Sequence, residues 1–193
     1  MLGLKLPTDP RWVNIVEKNI KEILTDHAFC EQKATSTAIS LIVSFPEYIE
    51  LVQEMTKLVK EEISHFKMVH DKIIERGWTL GRDRKDDYVI KLVTFFPKGG
   101  SRTNQLVHRL LYAALIEARS CERFRLLSEE LEDKELAEFY RNLMVSEANH
   151  YTMFLGFARK YGDRKEVDQK WQDLLEFEAE IMKDLSKRET IHG

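Results

Sequence analysis

Glycine and proline are scarce in this sequence, with 8 and 4 residues among 193. This is about half of their usual share, and it argues against a loop-rich or many-stranded fold. Cysteine is scarcer still, since Cys30 and Cys121 are the only two and cannot build a disulfide framework. A reducing compartment is the default for such a chain. These shortages exclude disulfide-rich secreted proteins and collagen-like proteins.

Long apolar runs are also missing. The longest, around residues 37–45, is too short to cross a bilayer, and the first ten residues lack the charged-then-apolar pattern of a signal peptide. The net charge is only −3, from 30 basic and 33 acidic residues, and taken alone it indicates no nucleic-acid partner. We therefore expect a cytoplasmic protein with no membrane span.

Apolar residues recur at helical spacing almost throughout the chain, and the length favours a single domain over residues 1–193. Asp9 with Pro10 predicts one helix start, and Thr25 with Asp26 predicts a second. Two helix hairpins joined by a long crossover predict an all-α, ferritin-like four-helix bundle with flanking N- and C-terminal helices. The predicted segments are a first hairpin at about 26–77 turning at Pro46, a crossover at 78–103 with one short helix from Tyr88 to Phe96, a second hairpin at about 104–162 turning near Glu132, and a C-terminal helix at about 165–187.

Each predicted hairpin contains the motif Glu-x-x-His, as Glu62 with His65 and as Glu147 with His150. At this spacing both side chains lie on one face of a helix and can bind one metal ion. A single copy is weak, because a chain rich in glutamate produces the motif by chance. A third copy ends at His192 near a chain end that we expect to be frayed, and we interpret it as accidental.

The two hairpin copies belong to a larger internal repeat, which a duplication of one helix hairpin would produce. Glutamates, histidines and a predicted helix-stop glycine recur at an offset of 85 or 86 residues, as Glu31/Glu117, Glu62/Glu147, His65/His150 and Gly77/Gly162.

The predicted turns place the four glutamates at one level of the bundle. Glu31 and Glu62 are 15 and 16 residues from the first turn, and Glu117 and Glu147 are each 15 residues from the second. At ~1.5 Å per residue, each glutamate lies ~22–24 Å from its turn. One Glu from each of two helices and a Glu-x-x-His from each of the other two form the ligand set of a carboxylate-bridged dinuclear site.

Carboxylate and imidazole ligands together suit iron or manganese, at a spacing of about 3–4 Å between the two ions. Two divalent ions would neutralise four carboxylates and change the net charge of the loaded chain from −3 to +1. The predicted catalytic residues and metal ligands are Glu31, Glu62, His65, Glu117, Glu147 and His150. His27, one turn before Glu31, and Cys121, one turn after Glu117, are candidates to assist from the surroundings of the site, and a satisfied core histidine and a small core filler are the alternatives for these two residues.

Four runs around these residues resemble the bacterial MiaE-type tRNA hydroxylases. They are DHAFCEQKA at 26–34, EEISHF at 61–66, LIEARSCERF at 115–124 and SEANHY at 146–151. The resemblance covers about residues 5–190, and the flanking residues make it more specific than the bare Glu-x-x-His pair.

The resemblance implies a non-haem di-iron monooxygenase. Such an enzyme uses O₂ to hydroxylate the isopentenyl group of 2-methylthio-N6-isopentenyladenosine next to the tRNA anticodon. It also implies that the six predicted ligands hold two iron ions, with Glu62 and Glu147 as bridges. No sequence motif for flavin, haem or nicotinamide is recognisable, so we expect electrons from a separate ferredoxin or reductase.

Two features bear on how such an enzyme would work. Soluble hydrocarbon hydroxylases of similar architecture usually place a threonine where this chain has Cys121, which puts a hydroxyl-assisted proton route in doubt. Cations in the crossover are candidate phosphate contacts for tRNA, although interspersed aspartates also fit a merely solvated loop. These candidate tRNA-binding residues are Arg82, Arg84, Lys85, Lys98 and Arg102.

Three other functions share this ligand pattern. Ubiquinone-biosynthesis hydroxylases repeat the same hairpin but should show an exposed apolar helix face for the membrane, whereas the outer faces here carry many charges. Storage ferritins build on one Glu-x-x-His set, and rubrerythrins add a Cys-x-x-Cys iron domain that this sequence lacks. A manganese catalase-like site uses the same ligand types.

Overall fold

The computed structural model describes residues 2–185 and 190–192, and all regular secondary structure within them is helical. This confirms the all-α prediction. The elements are α1 (Trp12–Lys18), α2 (Ile20–Ser44), α3 (Ile49–Glu75), α4 (Asp87–Leu92), a 3₁₀ helix (Val93–Phe95), α5 (Arg102–Glu130), α6 (Lys134–Tyr161) and α7 (Arg164–Leu185). No helix in the described part of the chain is long and apolar enough to cross a membrane.

The chain divides into two compact units. The α2–α3 unit comprises residues 19–85 with 190–191, and the α5–α6 unit comprises residues 2–18, 86–185 and 192. Each unit is built around one long helix hairpin.

In the α2–α3 unit, the two helices bury one face each against the other. On α3 the buried positions recur at helical spacing, and two of the polar residues predicted as metal ligands lie inside this apolar row. The row is Leu51, Met55, Leu58, Glu62, His65, Val69 and Ile73. The turn between the helices contains Pro46, as predicted, and Phe45 within it is buried.

Helix α3 ends in a glycine-dependent cap. Gly77 has φ +71, and its N–H donates to the carbonyl of Ile74 at 2.8 Å. The N–H of Trp78 donates to the carbonyl of Ile73 at 3.1 Å. These two bonds form a Schellman motif, in which a left-handed residue satisfies the last carbonyls of the helix. Gly77 is therefore the helix stop that the sequence predicts.

The α5–α6 unit begins its long helices with side-chain caps. Ser101 accepts from the N–H of Asn104 at 3.1 Å, and Asp133 accepts from the N–H of Leu136 at 3.0 Å. The buried row of α6 again includes two predicted ligands, and its members are Leu136, Tyr140, Leu143, Glu147, His150 and Phe154.

Gly162 ends α6 for a different reason from Gly77. Its φ is −97, which any residue can adopt. A Cβ at this position would lie 2.7 Å from Val167 Cγ2 and 2.9 Å from Val107 Cγ2. The absence of a side chain here allows close packing of the chain between α6 and α7 against α5.

Two predictions are wrong, one about a helix start and one about the C-terminus. The first break falls at Asn19 and not at Thr25, since Ile23 and Leu24 are fully buried within a helix that already runs through Thr25. Asp26 caps no helix, because its carboxylate accepts from the N–H of Ile191 at 2.7 Å.

The second wrong prediction is that the C-terminus is frayed. Ile191 and His192 are buried. The ring of His192 stacks on Tyr88 at 5.9 Å and shares a hydrogen bond of 3.1 Å with the Ser120 hydroxyl. The predicted end of the last helix beyond residue 185 lies outside the described residues, as does Glu189 of the third motif.

Candidate metal centre

The α2–α3 unit brings three predicted ligands together. Glu31, Glu62 and His65 are buried, and each offers a ligand atom within 4.8 Å of the others. Nδ1 of His65 lies 3.3 Å from Glu62 Oε2 and 3.7 Å from Glu31 Oε2. The equal depth of Glu31 and Glu62 below the turn, one on each helix, brings their carboxylates side by side.

Hydrogen bonds hold Glu31 and His65 in their charged forms. Burial opposes ionisation of Glu31, but His27 and His65 outweigh it and lower the pKa of this carboxyl. Burial likewise opposes protonation of His65, but the carboxylates of Glu31 and Glu62 raise its pKa to about 10. His27 is fully buried, and its Nε2 donates to Glu31 Oε1 at 2.6 Å. This bond fixes the position of the Glu31 carboxylate.

The α5–α6 unit carries the other three predicted ligands. Glu117 on α5 and His150 on α6 are buried and offer ligand atoms within 4.8 Å of each other. Glu147 lies one turn before His150 in the buried row of α6 and is 3% exposed. Ala113 and Ala114 precede Glu117 by about one turn on α5 and are buried, so the side chains beside this carboxylate on α5 are small.

The donor chemistry fits a metal ion. Each buried carboxylate costs several kcal/mol unless it is protonated, paired or bound to a cation. Oxygen and nitrogen donors without thiolates match non-haem iron or manganese better than zinc–thiolate or all-oxygen calcium sites. The clusters of both units are therefore suited to bind iron.

Cys121 contributes a neutral thiol to this region. It is buried, and its Sγ donates to the carbonyl of Met144 at 3.4 Å. Burial, with smaller contributions from Glu117 and Glu122, raises the pKa of Cys121 to about 11. The side chain is therefore a protonated thiol at neutral pH in the metal-free protein.

The five crossover cations predicted to contact tRNA are all exposed. Arg82, Arg84 and Lys85 belong to the α2–α3 unit, where the neighbouring Asp83 pairs with Lys33 at 2.7 Å. Lys98 and Arg102 belong to the α5–α6 unit.

Sequence reasoning missed a buried charge network beside Glu117. Arg119 is fully buried, and its guanidinium contacts Glu178 at 2.7 Å and Glu122 at 3.0 Å. Thr8 reinforces the network, since its hydroxyl donates to Glu122 Oε2 at 2.6 Å. The sequence signal is the group of charges from Glu117 to Arg125 on α5, but the sequence does not show that Glu178 on α7 pairs with it.

Two helix hairpins that each bury a glutamate and a Glu-x-x-His pair define the class of di-metal carboxylate proteins. A family model described as "tRNA-(MS[2]IO[6]A)-hydroxylase (MiaE)" matches residues 2–193. The chain belongs to this family of hydroxylases, which confirms the resemblance found in the sequence.

Two curated relatives agree with the family. A "tRNA 2-(methylsulfanyl)-N(6)-isopentenyladenosine(37) hydroxylase" of Pseudomonas putida is 37% identical over 164 residues, which cover 85% of this chain and 78% of the relative. A protein of the same name from Salmonella typhimurium is 28% identical, covering 81% of this chain and 75% of the relative.

A solved structure shares the fold. "Protein 43 with aldehyde deformylating oxygenase activity from Synechococcus" superposes with a TM-score of 0.90 and 30% identity, covering 98% of this chain and 95% of that one. That protein has a ferritin-like di-iron fold, so the predicted ferritin-like fold class is confirmed.

Proposed function

We propose that this protein hydroxylates the isopentenyl group of 2-methylthio-N6-isopentenyladenosine in tRNA, next to the anticodon. One observation carries the proposal: buried Glu and Glu-x-x-His sets occupy both hairpins of a chain that the hydroxylase family model matches from end to end. The named substrate of both curated relatives supports the choice of nucleoside.

We propose two iron ions as the cofactor. Their ligands are Glu31, Glu62, His65, Glu117, Glu147 and His150, which are the same residues that the sequence predicts. When bound, such a centre activates O₂ with two electrons and two protons, so that one oxygen atom enters the C–H bond and the other leaves as water.

The protein side chains bind and orient the centre. His27 holds Glu31 through Nε2–H, which keeps this carboxylate anionic and would position it to bind the metal. The apolar rows around the ligands bury them and would exclude bulk water from the centre. Cys121, protonated and bonded to a main-chain carbonyl, is proposed as a neutral neighbour of the site.

Electrons come from a separate ferredoxin or reductase in this proposal, and the cytoplasm is the compartment in which tRNA would be met. The exposed cations Arg82, Arg84, Lys85, Lys98 and Arg102 are proposed to contact tRNA phosphates.

The decisive experiment is mass spectrometry of tRNA nucleosides. Purified iron-loaded protein, O₂, a ferredoxin–reductase couple and tRNA bearing the isopentenyl nucleoside should yield a nucleoside that has gained one oxygen atom. Glu147→Ala should abolish this product, while Glu138→Ala, on the exposed side of the same helix, should retain it. Normal helical circular dichroism of both variants would show that they are folded.

A parallel reaction with a straight-chain aldehyde tests the activity named for the structural relative from Synechococcus. Turnover of the aldehyde without oxidation of the tRNA nucleoside would contradict the proposed function. Metal analysis should give close to two irons per chain, and a single ion bound through Cys30 or Cys121 would contradict the ligand assignment.

A further inference from the structure

The stretch from the 3₁₀ helix to the middle of α5 differs in charge from the rest of the protein. The chain has 33 acidic residues among 193, yet residues 93–116 contain none. The same stretch carries Lys98, Arg102 and Arg109. The first turn of α5 also lacks an acidic residue and instead contains Arg102. Acidic side chains are normally favourable in the first turn of a helix, so the charge at the start of α5 is unusually positive.

Aromatic side chains accompany these cations. The Phe96 ring lies 5.3 Å from the ring of His108 and 6.5 Å from that of Tyr112, and all three side chains are partly exposed. Lys170 on α7 adds positive charge near His108. Burial is the larger cause that lowers the pKa of His108, and the charge of Lys170 lowers it further. We call this set the basic–aromatic surface: Phe96, Lys98, Arg102, His108, Arg109 and Tyr112.

The backbone beside this surface is open to a ligand. Gly99 and Gly100 have φ +87 and +92, and nothing lies within 4 Å of a Cβ placed on Gly99. Gln105 Nε2 donates to the carbonyl of Gly100 at 3.0 Å, which holds the loop against α5. Cations and partly exposed aromatic rings side by side are the features with which proteins bind phosphates and stack bases of RNA.

The distance from the proposed centre can be measured along one helix. Arg109 and Arg102 precede Glu117 by 8 and 15 residues on α5, which correspond to about 12 and 22 Å. Phosphates of a stacked strand are spaced by about 3.4 Å along the helix axis, so this span covers roughly four to six nucleotides. A strand whose target nucleotide reaches Glu117 would therefore cross the basic–aromatic surface within a short stem-loop.

From these observations we propose that the basic–aromatic surface binds the RNA strand next to the target nucleotide. Lys98, Arg102 and Arg109 contact phosphates, and the Phe96 ring stacks on a base. This proposal rests on the proposed function and assigns part of the tRNA contact to the α5–α6 unit. An acidic electron-donor protein is the other partner that a positive surface could attract, and the aromatic rings favour RNA over it.

The test measures binding of an anticodon stem-loop by fluorescence anisotropy at several salt concentrations. Lys98→Ala/Arg102→Ala should weaken binding and reduce the slope of log K against log salt by roughly 1.4 to 1.8, since each lost phosphate contact contributes about 0.7 to 0.9. Phe96→Leu keeps an apolar side chain in the cluster and should weaken binding roughly five- to 150-fold with an unchanged slope. Lys57→Ala/Lys67→Ala removes two exposed charges from α3 and serves as the control, with binding close to wild type.

Each outcome decides the proposal. Variants that bind the stem-loop like the control, while the wild type binds and hydroxylates RNA, would overturn the surface and the phosphate contacts proposed for Lys98 and Arg102, and would leave the proposed hydroxylase activity intact. A wild type that neither binds nor hydroxylates RNA would contradict both. A raised KM for the electron donor with unchanged RNA affinity in the double variant would assign the surface to the donor instead. Thermal unfolding by circular dichroism confirms that each variant is folded.

Discussion

His65 and Glu31 are both charged in the metal-free protein at neutral pH, since the pKa of His65 is raised to about 10 and that of Glu31 is lowered. An iron ion that binds His65 must displace its proton. We therefore expect Fe(II) binding at pH 7 to release a proton, and the apparent affinity to rise about tenfold per pH unit below pH 10. Anaerobic calorimetry in two buffers of different ionisation enthalpy counts the protons released.

The same pair links stability of the metal-free protein to pH. The contribution of His65 is complete below its ordinary pKa of 6.5 and is lost as the pH rises through 10. The contribution of Glu31 is present above its ordinary pKa of 4.5 and is lost as the pH falls below that value. The variant His65→Gln tests the proton release described above. It should release fewer protons on iron binding than the wild type, and an unchanged proton count would contradict the charged state of His65.

At the scale of residues, the proposed ligands were predictable because their chemistry repeats. Glu31 and Glu117, like the two Glu-x-x-His pairs, recur at nearly one offset, and a repeated pattern of buried donor types has few explanations. Arg119 and His192 were not predictable, because their partners lie 59 and 72 residues away in sequence. Only the packed structure shows that Glu178 and Ser120 provide those partners.

At the scale of elements, two glycines provide opposite tests of helix energetics. Gly77 has φ +71 and no atom within 4 Å of an added Cβ, so Gly77→Ala should lower the free energy of unfolding by about 1 kcal/mol through backbone conformation alone. Gly156 is exposed inside α6 with nothing near its Cβ position, so Gly156→Ala should raise it by about 0.5–1 kcal/mol. Urea denaturation measures both, and shifts of the same sign would contradict the assignment.

Most helix boundaries were predictable from local signals. Pro46 and Gly77 act directly on the backbone, so their effect does not depend on distant packing. The break at Asn19 was not predictable in this way, because Asn19 makes no side-chain cap bond to the helix that follows. The competing signal at Thr25 and Asp26 failed, since both residues are buried inside α2.

At the scale of the whole molecule, iron should stabilise the fold. A ligand that binds only the native protein adds about 2.7 kcal/mol at a concentration one hundred times its Kd. For a chain of this length, this corresponds to a rise in Tm of roughly 5–10 °C per site. Thermal unfolding with Fe(II) and with a chelator, under anaerobic conditions, measures the change. Glu31→Ala should show a smaller rise, and equal rises in both proteins would contradict its role as a ligand.

Removing one member of the buried ion pair between Arg119 and Glu178 should destabilise the protein strongly, whereas removing both members should destabilise it much less. Arg119→Met leaves Glu178 buried without its main cation, so we expect a loss of about 3–5 kcal/mol in the free energy of unfolding. Arg119→Met/Glu178→Met removes both charges and should lose clearly less than the sum of the two single variants. A double-mutant cycle by urea denaturation gives this coupling, and simple additivity would argue against it.

Gly77 and Gly162 occupy matching places in the two hairpins, yet substitutions at them should be tolerated very differently. Position 77 requires only a left-handed backbone, so asparagine should be accepted there more readily than branched residues. At position 162 the side chains of Val107 and Val167 fill the space of any Cβ, and no choice of residue avoids the collision. In a saturation library selected for folded protein, position 77 should therefore retain several residue types, while position 162 should retain glycine alone.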